Sequence, residues 1–225
     1  MAASKKTIFA IRVASYALGV IIMTFGIVMA VRSNIGVAPG SLIPYAVSKL
    51  SPLTIGQCSA LFHVFCVLMQ LLISRKPTIK LFLQFPMAYV VGSMMDLFYI
   101  WHNPVLPNLM YQVLLLIAGM FVFSLGIRII VGSNLLISPA DGLAWELGKV
   151  FGWSMSKGKL AFDIIVTVFT ALLTLILASD PFLSVGIGTV ICAIGTGPII
   201  GLFTKLFPFF DFKEKTREQP AENDT

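Results

Sequence analysis

Ionisable and hydroxyl side chains recur at helical spacing inside two strongly apolar stretches of this chain. The first stretch carries Ser59, His63, Cys66 and Gln70, and the second carries Asp163, Thr167, Thr170 and Thr174. Both sets follow the spacing i, i+4, i+7 and i+11, which places each set on one face of a helix. A carboxylate inside an apolar helix is costly, and it marks a proton or ion pathway by default. His63, Asp163, Thr167 and Thr170 are therefore candidates for a coupling pathway.

Each of these polar residues also has a structural interpretation. Hydroxyl groups join apolar helices through hydrogen bonds without any further role. Lys159 lies one helical turn before Asp163 and predicts an ion pair, which weakens the functional interpretation of that carboxylate. Asp96, in another apolar stretch, is a candidate gate or proton site, or else a residue solvated near the end of its helix.

A second set of candidates lies in two stretches that repeat at an offset of one hundred residues. Gly26 to Lys49 reads GIVMAVRSNIGVAPGSLIPYAVSK, and Gly126 to Lys149 reads GIRIIVGSNLLISPADGLAWELGK. Matches of isoleucine and valine are common in an apolar chain, whereas the shared Ser-Asn, proline, lysine and paired glycines are not. The pattern indicates an internal duplication.

Each repeated stretch predicts a short helix that begins near Pro39 or Pro139, because proline is favoured in the first turn. A helix N-terminus presents unpaired N–H groups and a partial positive charge. If the two ends meet at mid-membrane, they form a donor-rich site for an anionic or zwitterionic solute. Asp141 complicates this site, because a carboxylate in the first turn would offset the dipole or bind a cation. The alternative is that the Ser-Asn pairs only cap chain breaks. The candidate substrate-binding residues are Ser33, Asn34, Pro39, Ser41, Ser133, Asn134, Ser138, Pro139 and Asp141.

The composition requires a membrane around these elements. The chain is 57% hydrophobic and 12% charged, with a mean hydropathy of +0.93, whereas soluble domains carry about 25% charged residues. Runs of about 20 apolar residues, the length of a membrane span, occur roughly at Thr7–Val31, Thr54–Ser74, Ile79–Trp101, Leu109–Val131, Gly158–Ala178 and Phe182–Phe207. Pro86 and Pro198 predict kinks in the third and sixth runs.

The positive-inside rule sets the topology. With six spans, every lysine and arginine except Arg32 and Lys49 falls on the side of the two termini. Both termini are therefore predicted to be cytoplasmic, and the net charge of +6 is explained by topology rather than by nucleic-acid binding. Residues 211–225 are predicted to form a disordered cytoplasmic tail.

Each repeat has three spans, which is an odd number. The second repeat therefore starts on the opposite side of the membrane and is inverted relative to the first. The predicted fold is an all-α polytopic membrane protein with a single transmembrane domain over residues 1–210. It comprises two inverted three-helix repeats, at about 7–101 and 107–207, each with a short re-entrant half-helix. Inverted repeats with broken helices near the midplane are a common way to build a solute site.

The repeated Ser-Asn…Pro stretches and the segment Gly195–Gly201 together resemble the YczE/YyaS/YitT group of small bacterial integral membrane proteins. The resemblance covers nearly the whole chain except the tail. It implies a multi-pass protein of the bacterial plasma membrane, and it implies no particular reaction or substrate.

The sequence favours a secondary transporter for a small polar or anionic solute, working by alternating access between the repeats. The alternatives are a passive channel and a non-transporting accessory or assembly protein. Nothing in the residues indicates an enzyme, a cofactor or a metal site. The expected partners are membrane lipid and the solute, and the oligomeric state stays open, with a homodimer as one arrangement.

Overall fold

The computed structural model describes residues 5–180 and 183–207, and these form helices joined by short connections. The predicted tail at 211–225 and the predicted start of the sixth span at Phe182 lie outside the described residues. The helices are α1 (Lys5–Arg32), α2 (Leu42–Leu50), α3 (Ile55–Ser74), α4 (Ile79–Phe82), α5 (Gln84–Trp101), α6 (Leu109–Ser133), α7 (Pro139–Val150), α8 (Met155–Ala178) and α9 (Ile187–Leu206).

Six segments within the described ranges are long and apolar enough to cross a membrane. They are Lys6–Arg32, Ile55–Ser74, Ile79–Trp101, Leu109–Ser133, Lys157–Ala178 and Ile187–Leu206. The prediction of a multi-pass membrane protein with six apolar helices is confirmed. The short helices α2 and α7 are not among them, and their re-entry into the membrane stays a prediction.

Local sequence explains where several helices begin and break. Thr54 and Gln57 form a reciprocal capping box at the start of α3. The third span is interrupted between α4 and α5, and α4 ends at Phe82, four residues before Pro86. A proline crowds the carbonyl four residues back and cannot donate a hydrogen bond to it. Pro86 therefore explains why the helix is interrupted after Phe82. Helix α9 runs on through Pro198.

Helices α1 and α6 form the most extensive contact in the fold, and glycines make it close. A Cβ atom added at Gly26 would lie 2.3 Å from the Phe123 backbone nitrogen, and one added at Gly126 would lie 2.3 Å from that of Met23. The two helices cross with their backbones almost touching, as small residues allow in membrane proteins. This close crossing lies at the start of the two repeated stretches, at Gly26 and Gly126.

The remaining helices pack around this pair across the two halves. Helix α3 contacts α7, and α8 contacts α2 together with the 3₁₀ turn Pro39–Ser41 that precedes α2. Helix α5 lies against α1, and α9 lies against α6. One contact has no counterpart of similar extent: α3 packs closely on α5, where Gly56 faces Gly92.

Candidate functional site

An open cavity of about 930 Å³ lies beside the start of α7. Its wall includes the last turn of α3, the α4–α5 break, the end of α6 and the connection that leads into α7. Its volume is at the upper end of the range typical of small-molecule sites. Of the predicted substrate-binding residues, it is lined by Asn134, Ser138 and Asp141.

Two buried amide side chains form the floor of this cavity. The Gln70 Nε2 group donates to Gln84 Oε1 at 3.1 Å and to the Pro139 carbonyl oxygen at 2.9 Å. Gly142 lets the Gln70 side chain come this close, because an added Cβ would lie 2.4 Å from Gln70 Oε1. Gln70 thus anchors the first turn of α7 to α3, and Gln84 is 6% exposed and lines the cavity.

Beside the cavity, one lysine joins two carboxylates. Lys159 Nζ lies 2.9 Å from Asp141 Oδ1 and 3.0 Å from Asp163 Oδ1. The ion pair between Lys159 and Asp163 is the one that their spacing predicts. The pairing with Asp141 joins the substrate-binding candidate on α7 to the coupling candidate on α8.

A second pocket, of about 10 Å³, is lined by residues that lie one hundred positions from residues of the cavity. Its lining includes Ile27, Ala30, Val37, Ala38, Ser41 and Phe123. The residues one hundred positions away line the open cavity: Ile127, Ile130, Ile137, Ser138, Asp141 and Met23. Two places related by the hundred-residue offset thus differ in volume by more than tenfold.

The Ser-Asn pairs end α1 and α6 in the same way. Ser33 Oγ donates to the Ala30 carbonyl and Ser133 Oγ to the Ile130 carbonyl, both at 2.6 Å. Asn34 and Asn134 follow with φ values of 57° and 53°, in the left-handed region that asparagine tolerates best after glycine. Both serines are fully buried on their own helices. Their contacts therefore match the capping alternative.

Two polar side chains reinforce these helix ends. Arg12 Nε donates to the Ser133 carbonyl at 2.8 Å, and its Nη2 donates to the Asn134 carbonyl at 2.7 Å. The Tyr45 hydroxyl lies 3.3 Å from Asn34 Oδ1 and donates to it. Burial, with a smaller effect from Tyr99, raises the pKa of Tyr45 to about 12, so the phenol stays protonated and keeps this bond.

Other predicted residues lie away from the cavity or are engaged by backbone. Asp96 accepts from the Thr54 hydroxyl at 2.6 Å and from the Gly56 N–H at 2.8 Å. These bonds cap the start of α3, roughly 21 Å along the helix from Gln70. Such contacts favour a structural role for Asp96, and its role as a proton site stays a prediction.

The polar side chains that share one face of α3 and those that share one face of α8 make different contacts. The Thr167 hydroxyl donates to the Asp163 carbonyl, and the Thr170 hydroxyl donates to the Val166 carbonyl, both at 2.7 Å. His63 Nδ1 lies 3.5 Å from Ser59 Oγ on the same helix. On the other repeat, Pro39 is buried and Ser41 lines the small pocket.

Sequence reasoning did not select Gln84, Lys76 or Lys80, which all line the cavity. Gln84 carried a usable signal, because it is a lone amide in an apolar span and such residues are functional hypotheses by default. The lysines carried none, because the predicted topology already accounts for positive charge at these positions.

Known proteins resemble this chain along most of its length. The model of DUF6198, described as a family of unknown function, matches residues 10–205. The uncharacterized protein YyaS of Bacillus subtilis (strain 168) is 23% identical over 188 residues, covering 84% of this chain and 90% of YyaS. No solved structure matched the chain. The resemblance to YyaS-type proteins is confirmed, and the chain belongs to DUF6198, a family of unknown function.

Proposed function

We propose that this protein is a secondary transporter that moves a small polar or anionic solute across the bacterial plasma membrane. Transport proceeds by alternating access between two inverted repeats, and the solute binds where the short helices α2 and α7 begin.

The observation that carries this proposal is the unequal volume of the two repeat-related pockets. One is open at about 930 Å³ and the other is nearly closed at about 10 Å³. In an inverted repeat these pockets face opposite sides of the membrane, so the described state is open to one side. Exchanging the conformations of the repeats would close the first pocket and open the second.

Contacts around the small pocket explain how it is closed. After α1 the chain is held against the start of α9, where the Gly188 N–H donates to the Ile35 carbonyl at 2.8 Å. At Gly36, with φ of 127°, an added Cβ would lie 2.6 Å from the Thr189 nitrogen. The corresponding connection after α6, residues 135–138, lines the open cavity. Val37 and Ala38, which follow this contact in the chain, line the small pocket, so we expect the contact between Ile35 and Gly188 to break when the pocket opens.

The cross-packing of the halves supports the repeat on which this mechanism depends. Helix α3 of the first half lies on α7 of the second, and α8 of the second half lies on α2 of the first. Each short helix is thus surrounded by protein of both halves, which irregular backbone at membrane depth requires.

Paired cysteine variants at repeat-equivalent positions test alternating access. The three native cysteines are buried and give a low background. We expect an impermeant thiol reagent to label the Ser138→Cys variant from the cytoplasmic side only. The Ala38→Cys variant should label from the outside only, and more slowly, because its pocket is closed in the described state. Variant Ala46→Cys, at a fully buried position of α2, is the matched negative control.

The labelling pattern also separates the alternatives. A solute that drives uptake into proteoliposomes should change the two labelling rates in opposite directions. Rates that rise and fall together would contradict alternating access and favour a channel. Labelling of both variants from one side would contradict the inverted repeat itself.

A topology map is the simplest check of the same model. Reporter fusions at Asn103 and Asp180 should be extracellular, and fusions at Lys76 and Lys157 should be cytoplasmic. An extracellular signal at Lys76 would exclude the six-span arrangement. Because this result does not depend on any solute, it can be obtained before transport is measured.

A further inference from the structure

We propose that the open cavity is an anion site, and that the solute is a small organic molecule carrying a carboxylate or phosphate group. This inference rests on the proposed function and narrows it to one class of solute. Three features carry the inference. They are two lysines of the cavity that have no salt bridge with a described residue, the free Nε2 donor of Gln84, and the start of α7.

Positive charge around the cavity exceeds what its carboxylates balance. Three lysines and two carboxylates line it. Lys149 pairs with Glu146 at 2.8 Å, and Asp141 pairs with Lys159. Lys76 and Lys80 form no salt bridge with any residue in the ranges 5–180 and 183–207. Topology explains why lysines lie on this side of the molecule, but it does not explain why two unpaired ones border the same cavity.

The floor of the cavity supplies an unused hydrogen-bond donor. Gln84 is buried to more than nine-tenths, and its Oε1 is occupied by Gln70. Its Nε2 group makes no hydrogen bond with a described residue, and because Gln84 lines the cavity this donor is open to a ligand there. A carboxylate or phosphate oxygen bound in the cavity would satisfy this group.

The start of α7 adds backbone donors next to this amide. The N-cap residue Ser138 makes no side-chain capping bond, so the first-turn N–H groups of α7 stay available to an anion. The Asp141 carboxylate would repel an anion here. Lys159 offsets that charge, which gives the pairing between α7 and α8 a definite role in an anion site.

The cavity is too large and too apolar for an inorganic ion alone. Its volume of about 930 Å³ lies within the range of about 300–1,000 Å³ that is typical of sites for organic ligands. Met23, Ile127, Ile130 and the indole of Trp145 line the remaining surface. These side chains suit the carbon skeleton of an organic anion.

The charge preference of the cavity can be measured without knowing the solute. In purified protein in neutral detergent, the Ser138→Cys variant is modified with the anionic 2-sulfonatoethyl methanethiosulfonate or the cationic 2-trimethylammonioethyl methanethiosulfonate. Each rate is divided by the rate of the same reagent with a free thiol. The charge preference is the ratio of the corrected anionic rate to the corrected cationic rate. Two unpaired charges at about 10 Å favour the anionic reagent by roughly tenfold. A ratio at or below one, or no reaction with either reagent, would overturn the proposal.

Substitutions then assign the preference to particular side chains. Lys76→Gln with Lys80→Gln should bring the ratio close to one, whereas Lys157→Gln, a matched change outside the cavity lining, should leave it unchanged. Gln84→Glu keeps the acceptor for Gln70 and should lower the ratio. If the ratio is unchanged by all three cavity substitutions, these residues do not form the site.

Two further arms separate the sources of the anion and the two proposals. Labelling in phosphatidylcholine nanodiscs is compared with labelling in phosphatidylglycerol nanodiscs, and a block confined to the latter would identify a lipid headgroup and refute a soluble anion. An anionic preference without any solute uptake would refute the transporter and leave the anion site. Uptake of a cation together with a labelling ratio below one would refute the anion site and leave the transporter.

Discussion

Replacing Gly26 with alanine should destabilise the protein by about 3 kcal/mol, at the upper end of the usual effect of overpacking. The added Cβ would lie 2.3 Å from the Phe123 nitrogen and 2.7 Å from its Cα. Both atoms belong to the backbone of α6, so no side-chain rotation can relieve the clash and the helices must move apart. Unfolding in mixed micelles with increasing denaturing detergent measures the loss.

Gly201→Ala is the matched control for this change. It also introduces a methyl group into a long helix, but no atom of a neighbouring segment lies within 4 Å of the added Cβ. We expect its free energy of unfolding to stay within about 0.5 kcal/mol of the native value, as for surface substitutions without specific contacts. Equal stability of the Gly26→Ala and Gly201→Ala variants would show that α1 and α6 do not cross as closely as described.

The sequence predicted features that depend on a single helix or on the repeat. Apolar runs located the six long helices to within a few residues wherever the structure describes both ends. Pro39 and Pro139 marked the first turns of the short elements, since proline is favoured there. The spacing of Lys159 and Asp163 predicted their ion pair because residues four apart are neighbours on a helix.

Features that depend on how helices meet could not be predicted. Asp141 reaches Lys159 because α7 and α8 approach closely at Gly158, where an added Cβ would lie 2.8 Å from the Ala144 carbonyl oxygen. Gln70 reaches the Pro139 carbonyl only because α3 packs on the other repeat. No spacing in the sequence encodes either contact, since their partners lie far apart along the chain.

The difference between the two pockets is also absent from the repeat pattern. A duplicated sequence predicts equivalent elements, but it does not tell which of two equivalent pockets is open. One sequence difference accompanies the unequal packing of the two halves. Gly92 contacts Gly56 in the close pair formed by α3 and α5, whereas the residue one hundred positions later, Cys192, is larger than glycine. A larger residue there is consistent with the limited contact between α8 and α9.

The largest electrostatic effect is expected from Lys159→Met. This change removes the cation that two carboxylates share, at 2.9 Å from Asp141 and 3.0 Å from Asp163. Breaking a buried ion pair by removing one partner costs about 3–5 kcal/mol. Because the side chains of Lys159, Asp141 and Asp163 are 39%, 32% and 23% exposed, solvent screens their charges. We therefore expect a loss below that range, of about 2 kcal/mol in the free energy of unfolding.

Lys149→Met is the control for this effect. Its ion pair with Glu146 is as short, at 2.8 Å, but Lys149 is exposed, and an exposed pair contributes about 0–1 kcal/mol. Adding Asp141→Asn and Asp163→Asn to Lys159→Met should restore most of the lost stability, because no unpaired charge remains. If the neutral triple variant is as unstable as Lys159→Met alone, the loss comes from packing of the lysine stem rather than from the carboxylates.

The same cluster separates a structural role of Asp163 from a coupling role. Asp163→Asn alone leaves Lys159 paired with Asp141, so folding and solute binding should be retained. If Asp163 carries the coupling proton, this variant should lose uptake driven by a pH gradient while still exchanging solute at equal concentrations on both sides. Loss of both activities would point to a damaged site. Retention of pH-driven uptake would leave Asp163 with the structural role that its salt bridge to Lys159 already supplies.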